Sequence, residues 1–338
     1  MRSLSLAVCL TPQVNGLRTS GLHHIQLIES VPVTLNLHLV RYLIAVVDEG
    51  HFGRAAERLY ISTPSLSQQI RKLERSLGAE LVDRTARPVR PTPAGERFLA
   101  EARESVSAAD RAVAAVDSYR RELAHTLRIG FMTASTGIRT HEILDELRRQ
   151  VPDVTVQMVE LPWSHQTSAV REGQVDAALV RPPFADSSGL RLDVIRHEGR
   201  VVALPKNHAL ADHSVVHLAD LDDEIHVTND DADPVWVRWW ACDPRPSGAA
   251  VRYGPSVRTM DELLEVVAAG QAVSITGQFV AQSYRNPGVV FVPVDDVPSC
   301  PLSLCTRNSD TSSVNTELRR AVAASTRTEE SRTPARHS

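Results

Sequence analysis

The stretch from Phe52 to Gly95 reads FGRAAERLYISTPSLSQQIRKLERSLGAELVDRTARPVRPTPAG. Its first part carries small apolar residues at helical spacing, which predict a short helix over 53–59 followed by a tight turn. A second helix is predicted over 62–78, because hydroxyl side chains that can cap a helix precede Pro64 and a glycine follows the last apolar position. Two helices joined by a short turn are typical of a helix-turn-helix.

The residues on either side of this stretch extend the motif into a small domain. Upstream, apolar residues recur on one stripe of a helix that ends at Gly50, namely Leu39, Leu43 and Val46. Downstream, 79–81 and 89–90 are predicted to form two short strands around an arginine-rich loop, which would be a wing. The sequence therefore predicts a winged helix-turn-helix domain over residues 35–91.

A long helix is predicted to follow over residues 92–122, with Thr92 as its cap and Pro93 at its first position. Apolar residues recur along it at alternating steps of three and four, at Leu99, Ala102, Val106, Ala109, Val113 and Val116. This spacing is typical of a seam between paired helices, so we expect a dimerisation helix. The alternative is a helix that packs on its own domain.

From residue 127 onward the pattern changes to alternating strands and helices. Strands are predicted at 127–131, 154–160, 177–180, 201–204 and 273–276. Helices are predicted at 138–150, 164–172 and 260–269. The alternation predicts an α/β fold. We expect lobe I over 127–199 and 287–322, lobe II over 200–286, and a polar, disordered tail over 325–338.

The composition is that of a folded protein with one basic end. The chain has 338 residues, of which 42% are hydrophobic, enough for two domains. No run of about 18 apolar residues occurs, and the four cysteines form neither a CxxC pair nor a disulfide framework. We therefore expect reduced thiols and a cytoplasmic location. The net charge is −4, yet residues 35–91 carry nine Lys or Arg against six Asp or Glu, as contact with phosphates requires.

Residues 1–34 precede the regular pattern and show no sustained periodicity. We expect an unstructured extension. Our hypothesis is that the native protein begins between Val31 and Leu35, because Val and Leu codons in this stretch can serve as start codons. The competing interpretation is a disordered arm that contacts DNA, which the composition disfavours because only Arg2 and Arg18 are basic.

The stretch from Phe52 to Gly95 closely resembles the N-terminal signature of LysR-type transcriptional regulators. The matching features are Ala55-Ala56, the Ser-x-Pro-x-Leu-Ser run from Ser62 to Ser67, Ile70-x-x-Leu73-Glu74, Arg84-Thr85, and Thr92-x-x-Gly95. Weaker matches follow at Glu160, Gln166, Gly173, Asp176 and Val267-Ala268-Ala269-Gly270. The resemblance covers residues 35–320. It implies a winged helix-turn-helix, a dimerisation helix and a periplasmic-binding-protein-like effector domain whose two α/β lobes enclose an effector cleft.

Four positions depart from the family's pattern. Gln68 follows the recognition-helix serine where many members have Arg, which bears on base preference. The other three bear on the chemistry of the effector. Ala134 stands where a serine often faces the effector, Trp163 replaces a small polar residue, and Gly277 replaces the usual Pro after the last strand of the second lobe.

The second helix of the motif is predicted to enter the DNA major groove, which alone admits a helix and distinguishes all four base pairs. Its candidate reading residues are Thr63, Pro64, Ser65, Ser67, Gln68 and Arg71. Gln68 could bond adenine and Arg71 could reach phosphate or guanine, whereas Ser65 and Ser67 could equally be solvated helix residues. Further contacts to the DNA backbone or minor groove are predicted at Arg54, Arg84, Arg87 and Arg90. The alternative for these arginines is a solvated surface.

The candidate effector-binding residues are Thr133, Ser135, Thr136, Trp163, Ser164, Arg181, Thr228 and Trp236. The first three lie where a strand meets a helix, and free N–H groups at such a junction suit an anionic ligand. Arg181 takes the place of a cation that faces the cleft in the family. Trp163 and Trp236 could stack on an aromatic or apolar effector, with core packing as the alternative. The histidines show no ligand spacing, so we expect no metal and no other cofactor.

These features together predict a homodimer or dimer of dimers that binds double-stranded DNA, at an operator with an inverted repeat. A small-molecule effector and RNA polymerase are the further expected partners. An enzyme is disfavoured because the sequence has no GxSxG, P-loop or GxGxxG motif and no catalytic constellation. The remaining alternative is a regulator whose second domain binds no ligand and acts through protein contacts.

Overall fold

The computed structural model describes residues 34–132 and 138–332. Contacts divide the chain into two compact units, Met1–Ala100 and Glu101–Ser338. The predictions made for residues 1–33, for Thr133, Ser135 and Thr136, and for 333–338 lie outside the described residues.

The first unit is a three-helix domain with a small hairpin. Its elements are α1 (Leu37–Glu49), α2 (Phe52–Arg58), α3 (Thr63–Leu77), β1 (Val82–Asp83), β2 (Arg90–Pro91) and the start of α4 (Pro93–Leu123). Asn36 caps α1 by accepting a hydrogen bond from the backbone N–H of His38. Gly50 ends it in the left-handed conformation, at φ 58°, which glycine adopts without strain.

The core of this unit is formed where the three helices face one another. Its largest fully buried side chains are Leu43, Leu66, Ile70, Leu73 and Leu81. Each such side chain contributes about 1.5–3 kcal/mol through burial. The apolar spacing of α1 and α3 in the sequence therefore corresponds to their core-facing stripes.

The two wing strands begin later than the sequence pattern predicts. The expected strands at 79–81 and 89–90 are replaced by β1 and β2, which pair antiparallel with Val82 opposite Pro91. The reason is the side chain of Glu74, whose Oε1 accepts the backbone N–H of Leu81 at 3.0 Å. That N–H is engaged with α3 and not with a neighbouring strand.

Helix α4 begins as the sequence predicts, because Thr92 Oγ1 accepts the backbone N–H of Gly95 at 3.0 Å. The predicted seam divides into two parts along the helix. The first part, at Leu99, Ala102 and Val106, is buried within this single chain. The second part is exposed, with Val113 at 66% and Val116 at 54% of full accessibility. The heptad spacing alone does not distinguish the buried part of the predicted seam from the exposed part.

The second unit continues with two α/β lobes. Lobe I contains β3 (Thr126–Phe131), α5 (Ile138–Gln150), β4 (Thr155–Glu160), α6 (Ser168–Arg171), β5 (Ala177–Val180) and β6 (Leu190–Glu198). Lobe II contains β7 (Arg200–Pro205), β8 (Ile225–Thr228), α7 (Pro234–Ala241), β9 (Arg252–Ser256), α8 (Met260–Ala268), β10 (Ser274–Gly277), α9 (Gln278–Ser283) and β11 (Val289–Val294). The chain then returns to lobe I with β12 (Cys300–Arg307) and α10 (Ser313–Arg332).

The strand order places the carboxyl ends of three parallel strands of lobe I side by side. The lobe I sheet has the order β4-β3-β5-β12-β6, in which β3 pairs parallel with both β4 and β5. In lobe II, β10 and β11 flank β7 antiparallel, and β8 pairs parallel with β9. The carboxyl ends of parallel strands are where α/β folds build binding sites.

The structure corrects three of the predicted boundaries in this unit. Residues 287–294 were assigned to lobe I, but β11 pairs with β7 and belongs to lobe II. The helix predicted at 164–172 is divided into a short turn, Trp163–His165, and α6, because the side chain of Gln166 bonds the backbone of Trp163 and Arg181. The disordered tail was expected from 325, yet α10 continues to Arg332, since lengthening a packed helix costs far less than nucleating one.

Candidate functional site

Helix α3 presents a polar stripe on the side opposite to its core-facing stripe. Pro64, Gln68, Arg71 and Arg75 are exposed and follow one another at steps of four, three and four residues. Thr63, at the first position of the helix, is exposed too. The structure therefore brings four of the six predicted reading residues together on an accessible surface.

The other two predicted reading residues, Ser65 and Ser67, are half-buried. The backbone N–H of Ser65 is bonded to the capping Ser62 at 3.3 Å. The hydroxyl of Ser67 accepts a hydrogen bond from Arg84 Nη1 at 3.1 Å. These serines thus take part in the internal structure of the motif.

Arg84, predicted as a phosphate contact, is engaged within the domain. Its Nη2 lies 2.9 Å from Glu74 Oε2, a carboxylate that is only 9% exposed, and its guanidinium lies over the ring of Phe52 at 5.1 Å. Arg84 therefore ties the wing to α3. Since Glu74 also accepts from Leu81, the pair positions the start of β1.

The remaining predicted arginines lie at the surface. Arg54 pairs with Glu49, with its side chain 63% exposed. Arg87 donates to the carbonyl oxygens of Arg84 and Ala86 within the wing, and Arg90 is exposed on β2. The wing loop is ordered by Asp83, which accepts hydrogen bonds from the side chain and backbone of Thr85, and these bonds lower the pKa of Asp83.

Tyr60 is a candidate DNA contact that the sequence pattern did not single out. It lies in the turn between α2 and α3, is 95% exposed and has φ +55°. A fully exposed tyrosine beside the recognition helix offers a phenolic O–H to a phosphate. The signal that could have found it is an aromatic residue inside a tight turn, where a small polar residue is usual.

A cavity of about 70 Å³ lies between the lobes of the second unit. Lobe I contributes residues that follow the carboxyl ends of β3, β4 and β5, namely Met132, Trp163 and Arg181. Lobe II contributes residues of β8, α7, α8 and β10, among them Thr228, Trp236, Trp240, Met260 and Ile275. Four of the predicted effector residues, Trp163, Arg181, Thr228 and Trp236, are brought together here.

Two contacts hold α7 of lobe II against lobe I beside the cavity. Trp236 Nε1 donates to the carbonyl oxygen of Arg181 at 2.9 Å. The carboxylate of Asp233, which caps α7, accepts the backbone N–H of Ala185 at 2.6 Å. The elements that line the two sides of the cavity are thus directly bonded to each other.

The charge of Arg181 is compensated inside the protein. Its guanidinium forms an ion pair with Glu198, and the two side chains are only 6% and 10% exposed. Glu198 also lies 3.3 Å from Arg196, whose guanidinium covers the ring of Phe279 in lobe II. Arg181 therefore lines the cavity as part of a cluster in which two guanidinium groups share the carboxylate of Glu198.

His226 lines the opposite wall and is neutral. Burial and the neighbouring Arg245 lower its pKa to about 4. Its Nε2 lies 2.6 Å from Arg245 Nη2, so the neutral ring accepts this hydrogen bond. His226 therefore contributes no positive charge to the cavity.

The aromatic residues form a continuous cluster at the cavity. The ring centres of Trp163 and Trp236 are 5.8 Å apart, those of Trp236 and Trp240 5.9 Å, and those of Trp239 and Trp240 5.1 Å. Trp163 and Trp236 were predicted either to stack on a ligand or to pack in the core, and here they pack on each other and line the cavity. Trp240 was missed, although its helical spacing from Trp236 places both on one face of α7.

Ser164 does not line the cavity. Its hydroxyl lies 2.9 Å from Nδ1 of the neighbouring His165. The fold also brings together His217, Asp295 and Asp296, whose ligand atoms lie within 4.8 Å of one another at the surface. The spacing of the histidines gave no sign of this group, because His217 is far in the sequence from the adjacent Asp295 and Asp296.

The last two turns of α4 are bound to lobe I. Arg121 donates to both carboxylate oxygens of Asp176, at 3.0 and 2.6 Å, and the two side chains are 13% and 7% exposed. Asp176 also accepts the backbone N–H of Arg128 at 2.9 Å. Close packing supports the pair, since a Cβ at Gly173 would lie 2.8 Å from that of Ala114. This connection is called the α4 latch below.

Comparisons with known proteins follow the same two-part organisation. Residues 37–96 match the family model described as bacterial regulatory helix-turn-helix protein, lysR family. Residues 120–327 match the LysR substrate binding domain. Within the described residues, no helix is both long enough and apolar enough to span a membrane.

The individual relatives are bacterial regulators. The chain is 41% identical over 193 residues to the uncharacterized HTH-type transcriptional regulator YnfL of Escherichia coli K12, an alignment that spans 57% of this chain and 65% of YnfL. It is 31% identical over 268 residues to the HTH-type transcriptional regulator XapR of the same organism, spanning 77% and 87%. The solved structure of CbnR, a LysR family transcriptional regulator, shares the fold with a TM-score of 0.50 at 22% identity, covering 86% of this chain and 99% of that one. This chain belongs to the LysR family of bacterial regulatory helix-turn-helix proteins.

Proposed function

We propose that the chain is a sequence-specific DNA-binding transcription regulator of LysR type, whose DNA contacts change when a small molecule binds between its two lobes. It acts in the cytoplasm as a regulator and not as an enzyme. One observation carries this proposal: the same chain combines an exposed polar stripe on the second helix of a helix-turn-helix with a cavity between two α/β lobes.

The accessible surface of the first unit supports the DNA-binding part of the proposal. Pro64, Gln68 and Arg71 are the residues that enter the major groove, and Gln68 is suited to a bidentate contact with adenine. Arg54, Arg87, Arg90 and the hydroxyl of Tyr60 contribute contacts to the DNA backbone, which strengthen binding to any sequence. Ser67 and Arg84 contribute by holding the wing against α3.

The exposed side of α4 supports self-association. Val113, Val116, Tyr119 and Leu123 are each more than half exposed, although they are large and apolar. Apolar residues that recur along one helix and lack cover within their own chain are typical of an interface. A second copy of the chain, paired through this part of α4, would give the homodimer that an inverted-repeat operator requires. A tetramer and a contact with RNA polymerase are compatible with this arrangement.

In this proposal the effector increases the share of protein molecules in the arrangement that it binds more tightly. A ligand changes DNA binding only if it binds one arrangement of the protein more tightly than another. Direct bonds join the two lobes beside the cavity, and the α4 latch joins lobe I to the helix proposed to pair. Opening or closing of the cavity therefore has a physical connection to the dimer.

The experiment that tests the DNA-binding part is genome-wide footprinting of the purified full-length protein on the DNA of its host. Discrete sites that contain an inverted repeat are the expected result. Gln68→Ala should change the preferred base at one or two positions, whereas Gln69→Ala, a half-buried neighbour, should leave the motif unchanged. Uniform binding without a motif would contradict the proposal.

A further inference from the structure

The size of the cavity between the lobes limits its ligand. Its volume is about 70 Å³, and an apolar cavity of about 150 Å³ can hold benzene. By this comparison the cavity accommodates about three non-hydrogen atoms, and at about 15 Å³ per water-sized group it accommodates about five. Trp163, which stands where LysR-type regulators have a small polar residue, occupies part of the wall.

The lining of the cavity is mainly apolar. Aromatic and aliphatic side chains form most of its surface, among them Trp236, Trp240, Met260, Leu263 and Ile275. Trp240 Nε1 is buried and has no hydrogen-bond acceptor among the described residues. An oxygen atom of a ligand would supply the acceptor that the Trp240 N–H lacks. The apolar side chains that form the rest of the lining favour a ligand with a carbon skeleton.

Among the described residues, Arg181 at the cavity already has a carboxylate partner before any ligand enters. Glu198 forms a buried ion pair with Arg181 and also lies 3.3 Å from Arg196, and His226 is an uncharged hydrogen-bond acceptor for Arg245. A ligand carboxylate beside Arg181 would therefore also lie beside Glu198. A second carboxylate close to Glu198 is disfavoured, because two like charges at short distance repel each other.

Gly277 explains how this ion pair is accommodated. A Cβ at this position would collide with Glu198 Oε1 and would lie 3.2 Å from Arg181 Nη1. Gly277 replaces the proline that is usual in the family at this point. The missing side chain leaves the space in which the carboxylate of Glu198 meets Arg181.

We infer that the effector of this protein is a small uncharged molecule with an apolar skeleton and an oxygen acceptor, of the class of short ketones, alcohols or esters, and that Glu198, through its ion pair with Arg181, disfavours carboxylates. This inference rests on the proposed function only in calling the ligand an effector. The chemical class follows from the described residues of the cavity.

The test uses three probes that have the same skeleton of five non-hydrogen atoms: 2-butanone, propionamide and propionate. All four tryptophans of the chain are in or next to the cavity, so the intrinsic fluorescence of the full-length protein reports binding directly. We expect 2-butanone to bind at least about tenfold more tightly than propionate, because the carboxylate of propionate would lie close to that of Glu198. A tenfold difference in affinity corresponds to about 1.4 kcal/mol. Propionamide should lie between them.

Two pairs of variants locate the effect. Val237→Phe fills the cavity and should abolish the response to 2-butanone, whereas Val235→Phe, on the exposed side of the same helix, should retain it. Glu198→Gln removes the competing carboxylate and should shift the preference toward propionate. Glu224→Gln, which changes a carboxylate paired with His208 away from the cavity, should not.

The inference is overturned if propionate binds to the wild-type protein as tightly as 2-butanone, or if none of the three probes gives a response that Val237→Phe removes. Footprinting in the presence of 2-butanone separates this result from the proposed function. Binding in the cavity without any change of the footprint counts against regulation through the cavity and leaves the ligand class established.

Discussion

The α4 latch gives a prediction whose size can be worked out from its geometry. Asp176 and Arg121 are 7% and 13% exposed and share two hydrogen bonds, of 3.0 and 2.6 Å. Removing one partner of a buried ion pair leaves an uncompensated charge, which costs about 3–5 kcal/mol. Arg307 lies 3.9 Å from Asp176 and would lose a partner as well, so we expect Asp176→Ala to lower the free energy of unfolding by about 4 kcal/mol.

The assay is a double-mutant cycle measured by urea denaturation. All four tryptophans lie in the second unit, so their fluorescence follows the unfolding of the unit that contains the latch. Arg121→Ala, Asp176→Ala and the double variant should give a coupling of about 2 kcal/mol, since hydrogen bonds to charged groups contribute about 1.5–3 kcal/mol.

The matched control is a second Arg–Asp pair in the same unit. Arg148 and Asp145 on α5 lie 2.9 Å apart and are 54% and 66% exposed. Their cycle should give at most about 0.5 kcal/mol, because solvent screens exposed pairs. If the cycle of the latch gives no more than this control, the latch does not hold α4 to lobe I in solution.

Three further predictions concern the two units separately. His226 is neutral in the folded protein, and its pKa is lowered from 6.5 to about 4. The free energy of unfolding should therefore be largest above pH 6.5 and should fall by up to about 3 kcal/mol as the pH is lowered toward 4. Denaturation measured between pH 4 and 7 should show this decrease, and His226→Gln should make it smaller. Changing Arg87 and Arg90 together to Ala should reduce the slope of log affinity for DNA against log salt by about one to two, with the preferred sequence unchanged in titrations at several salt concentrations. Val113→Glu should convert the dimer to a monomer in light scattering, because Val113 is exposed on the proposed interface, whereas Ala108→Glu, exposed on another side of α4, should not.

Elements with a strong local pattern could be predicted closely from the sequence. The helix predicted at 138–150 and the strand predicted at 177–180 coincide with α5 and β5. The caps of α3 and α4 lie at the predicted hydroxyl residues, since a cap depends on residues within one turn. These features need no information from distant parts of the chain.

Features that depend on distant contacts could not be predicted in this way. The membership of β11 in lobe II is decided by its pairing with β7, which is more than 80 residues away. Arg84 has the sequence context of an exposed wing arginine, and only the fold shows that it meets Glu74. Likewise, the partners of Arg181 are set by the approach of Glu198, which Gly277 permits.

The α4 latch holds the C-terminal end of the long helix α4 in lobe I, so the direction of the helix depends on the orientation of this lobe. Val113 lies eight residues before Arg121, or about 12 Å along the helix at about 1.5 Å per residue. If lobe I rotates by about 5°, a straight, stiff helix held at Arg121 moves by about 1 Å at Val113. The exposed apolar residues of α4 therefore follow a rotation of lobe I, because the latch fixes the direction of the helix that carries them.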